Sequence, residues 1–188
     1  MNILAITFSS RKNGNCTRCA QYCLDKFKIV GHTVELINIF DFNIQGCGLC
    51  NYDCFYGNGC LIKDDTLKVY EKCFNADKII FAIPTYCGNL SSAYFKFWER
   101  TQGVFKDNHK YEKDFLSKIN FIIIGNLTSG GDMAAHEGLY SFVNRNFYPE
   151  TIILSSREYN KKSINGDLVD SLEVVHKLDN FAQRILKN

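Results

Sequence analysis

The segment Phe8-Ser9-Ser10-Arg11-Lys12-Asn13-Gly14-Asn15-Cys16-Thr17 gathers side chains suited to holding an anion. It follows the apolar run Ile3-Leu4-Ala5-Ile6 and precedes Cys16, Ala20, Cys23, Phe27 and Val30 at helical spacing. That pattern predicts a buried strand turning into a helix. Such a turn aims several backbone N–H groups at one spot, backed by the positive end of a helix dipole. Arg11 adds a charge, Ser9, Asn13 and Asn15 add polar side chains, and Gly14 allows close approach of the backbone. The chemistry expected is capture of a phosphate monoester. The segment has neither the Gly-Lys-Ser/Thr ending of a P-loop nor the three-glycine spacing of a dinucleotide fold, and an ordinary solvated loop is the alternative.

A second group is Cys47-x2-Cys50-x3-Cys54-x5-Cys60, four thiols within fourteen residues. Compact sets of four thiolates hold iron–sulfur clusters. Zinc ribbons more often use two Cys-x2-Cys knuckles set further apart. Metal-free thiols in a loop that shapes a subunit interface are the third reading. Cys16, Cys19, Cys23 and Cys73 read as small apolar core residues. The four histidines, His32, His109, His136 and His176, form no metal-binding or Ser/His/Asp pattern.

These groups must be positioned by a chain of alternating strands and helices. Apolar runs at 33–39, 78–83, 121–124 and 151–154 read as four more strands. Pro84 is expected to stop the third. Helices are expected after Asp64 and Asp65 (carrying Leu67, Tyr70 and Phe74), after Ser91 or Ser92, and over about 133–147. A last helix places Leu168, Leu172, Val175, Ala182 and Ile185 on one face; 101–117 reads as polar and unassigned. Near-continuous apolar strands alternating with helices imply a parallel sheet covered on both faces. The expected fold is α/β, three-layered and flavodoxin-like, with five parallel strands in order 2-1-3-4-5. Ligands of such sheets bind beyond the carboxyl ends of the strands, where the order reverses. Three loops meet there: 8–17, 84–90 and 125–131.

With 188 residues, one domain spanning 1–188 is expected, with the cysteine-rich loop at 41–63. A net charge of +2 without basic runs argues against nucleic-acid and membrane-surface binding. Nine cysteines without a secretory signal pattern favour metal or redox chemistry over disulfides and a cytoplasmic location.

The turn Ser9-Ser10-Arg11-Lys12-Asn13-Gly14-Asn15-Cys16 resembles the Ser-Pro-Arg-x-Asn-Gly-Asn-Thr turn of the NAD(P)H-dependent FMN reductases and iron–sulfur flavoproteins. Pro84-Thr85-Tyr86-Cys87-Gly88-Asn89-Leu90-Ser91 resembles their Pro-x-Tyr-x-Gly-x-x-Ser flavin loop. Lys96-Phe97-Trp98-Glu99-Arg100 is similar to their Lys-x-Phe-x-Asp-Arg, and Cys60-Leu61-Ile62-Lys63-Asp64-Asp65 to the segment after their cysteine cluster. The resemblance implies FMN, its phosphate held by Ser9, Arg11, Asn13, Asn15 and Cys16, with Thr17 as a substitute hydroxyl. It implies an isoalloxazine lying against Pro84, Thr85, Tyr86, Cys87, Gly88 and Asn89 on one side and the Asn126, Thr128, Gly130 and Gly131 loop on another. It implies NAD(P)H as electron donor, and a [4Fe–4S] cluster on Cys47, Cys50, Cys54 and Cys60. Ser10 and Cys16 depart from the family's Pro and Thr, and three residues rather than two separate Cys50 from Cys54. The expected activity is passage of electrons from NAD(P)H through FMN to a quinone, free flavin or cluster, with no side-chain acid or base. The expected partners are small molecules and further copies of the chain, as homodimer or homotetramer. An electron carrier docking redox partners is the alternative, although carriers of this fold are acidic. A metal-stabilised structural module is a third reading.

Overall fold

The computed structural model describes residues 1–48, 50–57, 59–106, 109–126 and 128–187, with the side chains of 128 and 129 left aside. The central sheet takes β1 (Asn2–Thr7), β2 (Thr33–Asn38), β3 (Lys78–Tyr86), β5 (Ile119–Gly125) and β6 (Thr151–Ser155) in the order β2-β1-β3-β5-β6. All these pairings are parallel. This is the expected 2-1-3-4-5 order, with one addition. A two-residue strand, β4 (Asn89–Leu90), folds back antiparallel on the end of β3.

Along β3 successive residues serve opposite faces, as strand geometry requires. Ile79, Phe81 and Ile83 join the core under α2 (Thr66–Asn75), α3 (Ser92–Trp98), α4 (Thr101–Phe105), α5 (His109–Lys118) and α6 (Thr128–Val143). Ile80 and Ala82 join the core under α1 (Asn15–Ile29) and α7 (Leu172–Lys187). Two covered faces explain why the strands read as unbroken apolar runs. The first core is aromatic: Tyr70 stacks on Phe97 at 4.5 Å, and its hydroxyl donates to the Phe97 carbonyl at 2.9 Å.

Several local expectations need correction. Pro84 does not end β3; it pairs in register with Ile124. The Ala82 carbonyl accepts from Phe8 N–H on the β1 side, so the nitrogen of Pro84, two residues on, faces that same side, beyond the end of β1. The N–H that proline lacks would have met the Phe8 carbonyl, which accepts from Ser91 Oγ instead. α6 begins at Thr128 rather than near 133, drawing two glycines of the expected loop into its first turn. Leu67 and Leu172 are exposed, and the buried stripes are Val69-Tyr70-Cys73 on α2 and Val174-Leu178-Phe181-Ala182-Ile185 on α7. The stretch 101–117 contains α4 and α5. Among the described residues no helix is long and apolar enough to cross a membrane.

Candidate functional site

The carboxyl ends of β1, β3 and β5 open into a cleft of about 260 Å³. The first wall is the turn between β1 and α1. Asn38 Nδ2 donates to the Ser9 carbonyl at 3.0 Å, and Ser91 Oγ donates to the Phe8 carbonyl at 3.1 Å. Gly14 N–H donates to the Arg11 carbonyl at 3.1 Å, which closes the turn. Ser9 is buried and its Oγ accepts from Arg11 N–H at 3.3 Å, leaving the hydroxyl proton to donate into the cleft.

Asn15 is the residue with the clearest unmet need. Its Oδ1 accepts from Leu168 N–H at 3.0 Å, which fixes which end of the amide is oxygen. Its Nδ2 is buried and has no partner among the described residues, although Asn15 lines the cleft. A buried amide donor left unpaired costs about 1–3 kcal/mol, so such a group points to an acceptor that the protein chain does not supply. Burial pushes the Cys16 thiol up to about 12 against the pull of Arg11, so a neutral thiol, a weak donor, stands where a hydroxyl was expected. Thr17 and Asn13 do not line the cleft. Asn13 is exposed, and the Thr17 Oγ1 is buried without a partner among the described residues.

The second wall is the β3–β4 hairpin. Thr85 pairs with Leu90 and Tyr86 with Asn89, leaving Cys87 and Gly88 as the two central residues. Their φ values, 51° and 81°, are the left-handed pair of a type I′ turn. Pro84, Thr85, Tyr86 and Cys87 line the cleft, whereas Gly88 and Asn89 do not. Asn89 Nδ2 donates to the Cys87 carbonyl at 3.2 Å. On the third wall only Asn126 of the predicted group lines the cleft, joined by Ile124 and Gly125. The Thr128 side chain, like Leu127, lies outside the described residues. Gly131 is a packing residue, since a Cβ there would stand 2.5 Å from Ile153 on β6. At Gly130 an added Cβ would point to the hairpin, 3.8 Å from the Gly88 Cα, an ordinary contact. Ser163 also lines the cleft and was not expected from the sequence. The Asn165-Gly166 pair beyond the end of β6 was the available signal, because every parallel strand delivers its next loop to this edge.

The cysteine loop departs from its expectation. Cys47, Cys50, Cys54 and Cys60 border one small cavity of about 40 Å³. Among the described residues, however, no three His, Cys, Asp or Glu side chains are grouped to hold a metal ion. The extra residue between Cys50 and Cys54 is taken up by two left-handed residues, Asn51 and Tyr52. The Cys60 sulfur already accepts from Arg100 Nη2 at 3.1 Å. Burial first, then the charges of Glu99 and the neighbouring thiols, push the Cys47 thiol up. As the described residues are placed, the four thiols do not support a [4Fe–4S] cluster or zinc. Arg100 and Asp64 beneath the loop form a buried ion pair at 2.6 Å, which also ties in the Gln45 carbonyl at 2.9 Å. The Asp64 carboxyl lies below its ordinary range. Burial opposes this, but hydrogen bonds from Arg100 and from the Gln45 and Thr66 N–H groups outweigh it.

The chain is similar to known proteins both in sequence and in fold. An iron–sulfur flavoprotein of Archaeoglobus fulgidus is 28% identical over 153 residues, covering 81% of this chain and 74% of its own. One from Methanocaldococcus jannaschii is 27% identical over 142 residues, covering 76% of this chain and 70% of its own. In fold, the NAD(P)H:quinone oxidoreductase of Methanothermobacter marburgensis superposes with a TM-score of 0.74 at 11% identity, over 98% of this chain and 96% of that one. The sequence model of the NADPH-dependent FMN reductases matches residues 1–160, and the chain belongs to that family of flavodoxin-like oxidoreductases.

Proposed function

We propose that this protein, acting as one FMN-binding domain, transfers electrons from NAD(P)H to a small planar acceptor of the quinone or flavin class. Bound FMN would supply the redox chemistry, taking hydride from the nicotinamide and releasing electrons to the acceptor. The protein's part is binding, orientation and electrostatics. Ser9 Oγ–H, the Asn15 amide and the N–H groups at the start of α1 are the donors for the phosphate, with Arg11 supplying charge. The hairpin wall of Thr85, Tyr86 and Cys87 would hold the ring, and its backbone N–H groups offer dipoles to stabilise negative charge there. Tyr86 is half exposed on this wall and would be available to flank the ring or the nicotinamide.

The observation that carries this reading is the unpartnered Asn15 Nδ2 buried at the family's phosphate turn. The test is anaerobic mixing of the FMN-loaded protein with NADPH and, separately, NADH. Bleaching of the bound flavin, followed by reoxidation with a quinone or free flavin, is expected. A protein that binds FMN but is bleached by neither nucleotide is a carrier, not a reductase.

A further inference from the structure

The segment after β6 begins where the family match ends, and it returns to the phosphate turn. It leaves a short 3-10 turn at Ser156–Tyr159, reverses at Asn160 with φ 54°, and crosses the start of α1. Three side chains of the turn and of α1 hold it. Arg11 Nη1 donates to the Ser163 carbonyl at 2.6 Å. Arg18 donates to the Gly166 carbonyl through Nη1 and to Asp170 through Nη2 at 3.0 Å. Asn15 Oδ1 accepts from Leu168 N–H, and Leu168 is itself fully buried in the core beneath α1 and α7. At Gly166, φ is +70° and an added Cβ would stand 2.5 Å from the Asn13 carbonyl oxygen, so the strap lies directly on the turn.

We propose that this strap, 160–170, is a positioning element of the phosphate subsite. Leu168 N–H claims the oxygen of the Asn15 amide and thereby turns the nitrogen into the donor that faces the ligand. With the strap removed, that amide could flip and offer an oxygen to a phosphate dianion. The ligand class selected is a phosphate monoester over the same molecule without phosphate. The inference deepens the FMN reading and rests on it.

Riboflavin differs from FMN only in lacking the phosphate, so the pair tests it directly. Both are titrated into flavin-free wild type, Arg18→Met and Gly166→Val, with melting temperature as the control for folding. Arg18 lies outside the cleft lining, so its loss loosens the strap without removing a wall. Both variants are expected to weaken FMN about tenfold, the worth of one charge-assisted hydrogen bond, and riboflavin less than about twofold. The phosphorus NMR resonance of bound FMN is expected to move in both. Unchanged FMN affinity and resonance in folded Arg18→Met would overturn the proposal, as would equal weakening of both flavins. If Gly166→Val does not fold, Arg18→Met decides alone. Wild type that takes up no FMN removes the functional reading itself, an outcome distinct from failure of the strap.

Discussion

Gly88 separates two physical reasons for which a glycine is needed. Its φ of +81° is one an L side chain rarely adopts, yet a Cβ built there meets nothing within 4 Å. A substitution therefore costs conformational strain rather than a clash, about 1–2 kcal/mol, with β-branched valine at the upper end. The partner strand β4 has only two residues, so its ladder cannot hold the turn against that strain. In Gly88→Val the hairpin is expected to open while the rest of the sheet stays intact. The strain is then met again when FMN requires the closed wall, which weakens binding about 5–30-fold. The melting temperature should fall by no more than about 8 °C, because the strain caps the loss. Gly88→Asn places a side chain in the same open space but tolerates left-handed φ. It should bind FMN within about threefold of wild type. Flavin titration of the three proteins, with anaerobic stopped-flow reduction by NADPH and NADH, reads the result. If Val and Asn behave alike, the strain argument is wrong and an unseen contact governs the turn.

The Arg100–Asp64 pair is 2% and 1% exposed, so Asp64→Ala, which strands a buried guanidinium, should cost about 3–5 kcal/mol in urea unfolding, while Asp64→Leu with Arg100→Met should cost far less. Because the folded carboxyl lies below its ordinary range, this contribution is complete above about pH 4 and lost as pH falls through the depressed value; wild type should show that acid arm and the double variant should not. Cys87 is exposed and lines the cleft, whereas Cys16, Cys19, Cys23 and Cys73 are buried with thiols pushed up by burial. Iodoacetamide should therefore label Cys87 and spare those four, and FMN should protect Cys87; mass spectrometry showing equal Cys87 labelling with and without FMN would refute its place against the flavin.

Much of the sheet was legible because both faces are covered: runs such as Ile79-Ile80-Phe81 carry their strand identity in hydrophobicity alone. The strand-to-helix turn between β1 and α1 was legible because its spacing is local. What was missed depends on contacts between distant parts of the chain. Pro84 reads as a strand breaker unless one knows that Ser91 supplies the Phe8 carbonyl with the donor that proline lacks. Gly131 reads as a loop glycine, but it lets α6 approach β6. The cysteine spacing suggested ligands, but whether four thiols converge is set by loop geometry that sequence does not encode locally. Here the Cys60 sulfur is turned to Arg100 instead.

The departures from the family turn become coherent when the strap is included. Replacing the usual threonine by Cys16 removes a hydroxyl donor from the first turn of α1, and burial keeps the thiol neutral, so it does not add a repelling charge. Asn15, next to it, carries a donor whose direction is set from 153 residues away. Arg11, half of whose guanidinium fork is spent on the Ser163 carbonyl, is held by the same strap. A local turn motif records which side chains are present at a phosphate site. It does not record which end of an amide faces the ligand, and here that choice is made by a backbone N–H on a segment beyond the family match.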